Sequence, residues 1–198
     1  MQLVLAVPVA WLAHAPQHGI PSEWAWVYWP LAILLITGFA NAANLTDGID
    51  GLASGTSVIA LVALTLVLPG AEAGEKAVAM TLTGALLAFL LYNRHPARVF
   101  MGDTGSLGVG AALAAMALQQ GWGLLLLPLG LVFVAEAGSV MMQVSYFKAT
   151  GGRRMFPNTP IHLTFQQEGW SENRIALTFW GVGVVAALAS GWIAHVFT

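Results

Sequence analysis

The chain has 198 residues, of which 58% are hydrophobic and 8% charged, with no cysteine and a formal net charge of −2. A soluble domain of this length carries about a quarter charged residues, so this composition, with a mean hydropathy of +0.75, marks an integral membrane protein. The missing cysteines exclude disulfides, thiolate catalysis and cysteine-type metal sites, and the few charges give no basic surface for a nucleic-acid partner.

Uncharged runs predict seven spans in chain order: Met1–Ala13, Trp24–Ala43, Ala53–Pro69, Ala77–Tyr92, Gly105–Leu118, Trp122–Phe147 and Ile175–Phe197. The first is short. A helix needs roughly 20 apolar residues to cross the hydrocarbon core. "AHA" at Ala13–Ala15 resembles a signal-peptide cleavage site, but the basic n-region that such a peptide needs is missing. Trp24, Trp26, Tyr28 and Trp29 cluster where one span begins, as interfacial aromatics do. "QQGWG" makes a tight turn between the fifth and sixth spans, and the longest polar loop is Lys148–Arg174. No linker divides the chain. The expected fold is all-α: one polytopic membrane domain over residues 1–198, about seven transmembrane helices with cytoplasmic catalytic loops.

With seven crossings, loops 44–52, 93–104 and 148–174 share one face. Arg94, Arg98, Lys148, Arg153, Arg154 and Arg174 fall on that face and only Lys76 on the other. The positive-inside rule makes the first face cytoplasmic. All three aspartates, Asp47, Asp50 and Asp103, lie there too, each followed by glycine or flanked by it in "TDGIDG" and "FMGDTGS".

An Asp-Gly pair often means only a turn. Asp47 and Asp50, however, are three apart, and on a helical turn they would share a face with Asn44. Two like charges there repel unless a cation or basic ligand lies between them, and such oxygen donors suit Mg²⁺, which takes one or two carboxylates plus substrate phosphates. Around Asp103, the sequence "NRHPARVFMGDTGSLGVG" leads into an apolar run. Thr104 or Ser106 is a candidate helix cap, and the helix start would offer free N–H groups to an anion; close packing of the glycines is the plain alternative. The third polar stretch holds Arg153, Arg154 and His162, a lone loop histidine with an ordinary reading available. Within the sixth span, Glu136 and Gln143 are seven residues apart on one face. Intramembrane ionisable residues invite a functional hypothesis, with an interhelical hydrogen bond the favoured plain reading of Glu136. These features together describe a cytoplasm-facing Mg²⁺–phosphate site.

"NAANLTDGIDGLASG", "YNRHPARVFMGDTGSLGVGA", "QVSYFK" and "PIHLTFQQEGWSENR", in that order, resemble the polyprenyl-phosphate N-acetylhexosamine-1-phosphate transferases (glycosyltransferase 4). Within them the likeness is to the MraY-type phospho-MurNAc-pentapeptide translocases, and it runs from about Trp29 to the end. The resemblance implies transfer of phospho-MurNAc-pentapeptide from its UDP donor to undecaprenyl phosphate, giving lipid I and UMP in peptidoglycan biosynthesis, with Mg²⁺ as cofactor. It further implies a bacterial plasma-membrane location, contact with the bilayer and a homodimer. By motif match, Asp103 and Asp47 are the implied metal ligands, and Asp47, Asp50, Asp103 and His162 the implied catalytic residues. Asn44, Gly48, Ile49, Asn93, Phe100 and Gln143 are implied substrate-binding residues, with Phe100 the aromatic that packs on uracil.

Two features depart from the family pattern. The family has three consecutive histidines where this chain has His162, Leu163 and Thr164, and its adjacent aspartate pair, bearing the proposed base, occurs nowhere here. The seven spans match the family's fourth to tenth helices. A C-terminal portion, a natural truncation or half of a split enzyme is therefore expected, with a separate N-terminal portion as partner. The alternatives are a UDP-GlcNAc:polyprenyl-phosphate GlcNAc-1-phosphate transferase, a catalytically dead relative that only binds nucleotide, and a transporter coupled through Glu136.

Overall fold

A computed structural model describes residues 2–13 and 25–197. The segment 14–23, Trp24 and most of the "AHA" stretch lie outside the described residues. The described residues form helices joined by turns and loops: α1 (Gln2–Ala13), α2 (Ala25–Thr46), α3 (Leu52–Val62), α4 (Ala73–Asn93), α5 (Gly102–Gln119), α6 (Leu126–Leu129), α7 (Leu131–Ala149), α8 (Ile161–Gln167) and α9 (Glu172–Phe197).

Three of these are long and apolar enough to cross a membrane by length and composition: Trp26–Thr46, Ala73–Asn93 and Glu172–Val196. The expected span over Ala77–Tyr92 shows the solvent logic most clearly. Only 17% of its most apolar window is buried inside the protein, and Val78, Leu87 and Leu91 face outward. Water would not tolerate that surface; lipid would.

Two expectations are corrected. The run Trp122–Phe147 is not one helix: the chain turns at 121–125, forms the short α6, and breaks at Gly130 before α7. A side chain at Gly130 would collide with the ring of Phe39, and Phe39 and the fully buried Phe133 meet edge to face with centroids 6.3 Å apart. The break thus brings α7 against α2. The long loop 148–174 is also partly helical, containing α8 and the start of α9.

Small residues set the helix spacing, as in membrane bundles generally. Gly110 on α5 faces the backbone carbonyl of Phe39 on α2. Gly55 on α3 receives the indole of Trp180 from α9, and Gly191 of α9 lies on Val67. Val67 ends a π-helical turn, Ala63–Val67, that continues α3, closed by the Leu68 N–H donating to the Ala63 carbonyl at 2.9 Å.

These packings put the loops 47–51, 94–101 and 150–171 at one end of the bundle. The opposite end gathers 68–72 and 120–125, where Trp122 Nε1 donates to the Pro69 carbonyl at 2.9 Å. The two-sided grouping expected from the order of the spans is therefore the grouping observed for the described loops.

Candidate functional site

The TDGID turn is the centre of the polar end. α2 stops at Thr46, and Gly51 at φ 75° lets the chain reverse into α3. Asn93, at the end of α4, pins this reversal. Its Oδ1 accepts from the Gly51 N–H (3.2 Å) and the Ser54 hydroxyl (2.9 Å), while its amide donates to the Val99 carbonyl (3.0 Å). Asn93 is buried and its side chain is committed to shaping the turn.

Asp47 and Asp50 do not share a face. Residues 47–51 form a tight turn rather than a helix, so the expected helical spacing fails and the two carboxylates diverge. Asp47 turns toward α5, where its carboxyl feels the backbone N–H of Gly102 and the charge of Asp103. Asp50 turns toward the loop after α4, accepting from the Ala97 N–H (2.9 Å) and from His95 Nδ1 (2.9 Å).

The Asp47 side therefore brings together the two carboxylates expected as metal ligands. Burial, with a smaller contribution from the negative charge of Asp103, pushes the Asp47 carboxyl up to about 6, against the pull of the Gly102 N–H. Asn44, one turn earlier on α2, donates from Nδ2 to Asp103 Oδ1 and to Ser106 Oγ, both at 3.0 Å. Two carboxylates brought together in a partly desolvated corner form an oxygen donor set for a hard divalent cation. The strain on Asp47 is what a bound cation would relieve.

The expected cap on α5 is corrected. Neither Thr104 nor Ser106 caps it; the Ser106 hydroxyl donates back to the Gly102 carbonyl inside the helix at 3.0 Å. The acidic side chain in its first turn is Asp103, which suits the partial positive charge there.

The Asp50 side holds a cluster that the sequence reading missed. His95 Nδ1 also lies 3.4 Å from Glu172 Oε2 at the start of α9, and the same oxygen accepts from the Asp50 N–H at 3.2 Å. The ligand atoms of Asp50, His95 and Glu172 lie within 4.8 Å of one another. Hydrogen bonds among them account for this closeness. The only available signal was a histidine in "YNRHP" and a glutamate in "GWSEN", 77 residues apart, with no spacing rule joining them.

Gly48 and Ile49 part ways: Gly48 is exposed, while Ile49 is buried in a small cluster with Leu52, Val132, Ile175 and Phe179. Phe100, three residues before Asp103 in the chain, is 75% exposed. Gln143 is buried, and its Oε1 accepts from the N–H groups of Met155 (3.0 Å) and Phe156 (2.9 Å), so it secures the loop carrying Arg153 and Arg154. His162, fully buried on α8, meets Glu136 of α7: Nδ1 to Oε2 is 2.9 Å. The plain reading of Glu136 as an interhelical hydrogen bond is the arrangement observed.

Known proteins resemble this chain over most of its length. Residues 1–121, which contain all three aspartates, match the profile of glycosyl transferase family 4. A phospho-N-acetylmuramoyl-pentapeptide-transferase of Listeria monocytogenes serovar 1/2a is 47% identical over 178 residues, covering 88% of this chain and 54% of the relative. The protein of that name from Levilactobacillus brevis is 46% identical over 181 residues, 91% of this chain and 55% of the relative. That from Bacillus mycoides is 45% identical over 179 residues, 90% and 55%. The chain spans about half the length of the curated relatives it matches.

Proposed function

This chain belongs to glycosyl transferase family 4, and we propose that it carries the cytoplasmic site of a phospho-N-acetylmuramoyl-pentapeptide transferase. The donor is UDP-MurNAc-pentapeptide, the acceptor is undecaprenyl phosphate, and the products are lipid I and UMP. An oxygen of the lipid phosphate attacks the β-phosphorus of the donor, and the bond from that phosphorus to the UMP oxygen breaks. No electrons change hands.

The single observation that carries this reading is the junction of α2 and α5. Asp47, Asp103 and Asn44 come together there beside a glycine-bounded helix start. Phosphoryl transfer depends mostly on positioning and on stabilising charge. Asp47 and Asp103 are the residues to hold Mg²⁺, which when bound would neutralise the diphosphate and polarise the reacting phosphoryl group. The chain's own residues do the rest. Asn44 holds the Asp103 carboxylate in one orientation, and Asn93 holds the turn that aims Asp47. Phe100 offers an exposed ring to the uracil of the donor, and Gly48 leaves room for the His162 ring against the turn.

The lipid acceptor explains why such a site belongs at the rim of a bundle with an apolar outer surface. We assign seven crossings: α3 with its π turn, α5 and α7 complete the set begun by α2, α4 and α9, with α1 the seventh. The basic residues near the polar end make that end cytoplasmic in a bacterial plasma membrane, and two copies of the chain form the expected dimer.

UMP release tests the proposal. Membranes containing the chain receive UDP-MurNAc-pentapeptide or UDP-GlcNAc, undecaprenyl phosphate and Mg²⁺, alone and with the remaining family helices supplied in trans. Release with the muramoyl donor in either arm, lost in Asp103→Asn, supports it. Release only with UDP-GlcNAc, or none in both arms from well-inserted protein, overturns it.

A further inference from the structure

Among the polar groups that the metal pair and the uracil platform leave unused is the buried pair of Glu136 and His162. Glu136 on α7 is 0% exposed and His162 on α8 is 1% exposed, and Oε2 meets Nδ1 at 2.9 Å. The other carboxylate oxygen, Oε1, is buried without a hydrogen-bond partner. Retaining a buried carboxylate with one orphaned oxygen costs stability, so the pair is poorly explained as packing alone.

The far edge of the imidazole points at the site. A Cβ built on Gly48 would collide with His162 Nε2, and would lie 2.7 Å from Cε1. Gly48 is the residue next to Asp47, so the ring lies directly under the turn that carries the metal ligand. Only glycine leaves room for it. Glu136 is thus linked to the turn through one histidine, across three separate segments of the chain.

We propose that Glu136 is a positioning residue: it holds the proton of His162 on Nδ1 and so presents the unprotonated Nε2 to the TDGID turn. A neutral imidazole carries one N–H, and the partner of one nitrogen decides the state of the other. The carboxylate accepts at Nδ1, and the described hydrogen bonds of His162 run through that nitrogen alone. With that one N–H placed at Nδ1, Nε2, which faces the Gly48 backbone, carries none. Nε2 is therefore a lone pair facing the turn, and since His162 is 1% exposed it acts on the substrate through the position of the turn. The consequence for rate rests on the transferase reading; the tautomer does not.

The test is ¹⁵N NMR of histidine-labelled protein in lipid nanodiscs, with His162→Gln used to assign the signal. The expected result is a His162 Nδ1 that carries hydrogen and an Nε2 with the shift of an unprotonated ring nitrogen. In Glu136→Gln, whose amide both accepts and donates, the ring is expected to populate both tautomers. That variant is expected to lower kcat for UMP release by about tenfold to a hundredfold, the scale of a misplaced group near the chemistry, with KM for the sugar nucleotide within about twofold. Glu136→Asp is expected to restore part of the rate. A wild-type His162 protonated at Nε2, or doubly protonated, overturns the proposal without any variant having to fold. An unchanged tautomer or unchanged kcat in Glu136→Gln overturns it as well. Absence of UMP release from the wild type would instead count against the transferase reading and leave the tautomer result standing.

Discussion

Asn44 Nδ2 lies 3.0 Å from Asp103 Oδ1, although the two residues are 59 positions apart in the chain. One amide thus clamps the helix that leads into the first aspartate motif to the helix that begins at the second, and the same amide reaches Ser106 Oγ at 3.0 Å. Replacing Asn44 with Ala removes both bonds and frees the Asp103 carboxylate to rotate. The expected loss is about 1 kcal/mol of stability, with a several-fold higher Mg²⁺ concentration needed for half-maximal UMP release. An unchanged Mg²⁺ dependence in a folded variant would show that the clamp does not position a metal ligand.

The raised Asp47 carboxyl sets a pH dependence. Its folded value, about 6, lies above the ordinary 3.8, so the metal-free fold binds this proton more tightly than the unfolded chain does. The charged form strains the fold above pH 6, and the metal-free protein gains stability as pH falls from 6 toward 4. A cation competes with the same proton. Apparent Mg²⁺ affinity, read by calorimetry, is expected to fall about tenfold between pH 7 and pH 5, and Asp47→Asn is expected to flatten that slope.

His95 bridges two carboxylates, Asp50 at 2.9 Å and Glu172 at 3.4 Å. With His95→Ala those carboxylates face each other without a mediator. A double-mutant cycle of His95→Ala with Glu172→Ala, followed by thermal unfolding in detergent, is expected to give a coupling of about 0.5–3 kcal/mol. A coupling near zero would mean that the His95–Glu172 contact adds nothing to holding the start of α9.

Two helical glycines separate packing from propensity. Gly110 faces the backbone of Phe39, which cannot move aside, whereas a Cβ on Gly38 would meet nothing within 4 Å. Gly110→Ala is expected to cost about 1–3 kcal/mol by forcing α2 and α5 apart. Gly38→Ala is expected to stabilise by about 0.5–1 kcal/mol, the ordinary helical preference. Matching melting temperatures for the two variants would contradict the close α2–α5 approach.

Gln143 accepts from two consecutive backbone N–H groups, those of Met155 and Phe156. Gln143→Leu leaves both donors unpaired and loosens the loop. Trypsin cleavage after Arg153 or Arg154 is expected to speed up several-fold in inside-out vesicles, and equal rates in wild type and variant would remove the loop-holding role.

The sequence alone determined the solvent and much of the chemistry. A chain with 8% charged residues and 58% hydrophobic ones has to satisfy its backbone internally, so helices follow from composition, and the sorting of loops to two ends follows from the order of apolar runs. The gathering of Asp47, Asp50 and Asp103 at one end was legible for the same reason, because a charge placed between two apolar runs has to lie at their boundary. Which carboxylate faces which partner was not legible. Asp47 and Asp50 are three residues apart, and the helical rule that would put them on one face fails because Gly51, at φ 75°, turns the chain between two helices. Only the tertiary structure sends Asp47 to Asp103 and Asp50 to His95 and Glu172. Likewise Glu136 and His162 carry no shared motif; they meet because α7 starts afresh after Gly130 and α8 folds back beneath the turn. Composition and spacing act through neighbours along the chain and fix what must be buried or exposed. Pairing across 26 to 122 residues depends on helix packing set by single glycines, whose space-making role appears only once the helices are side by side.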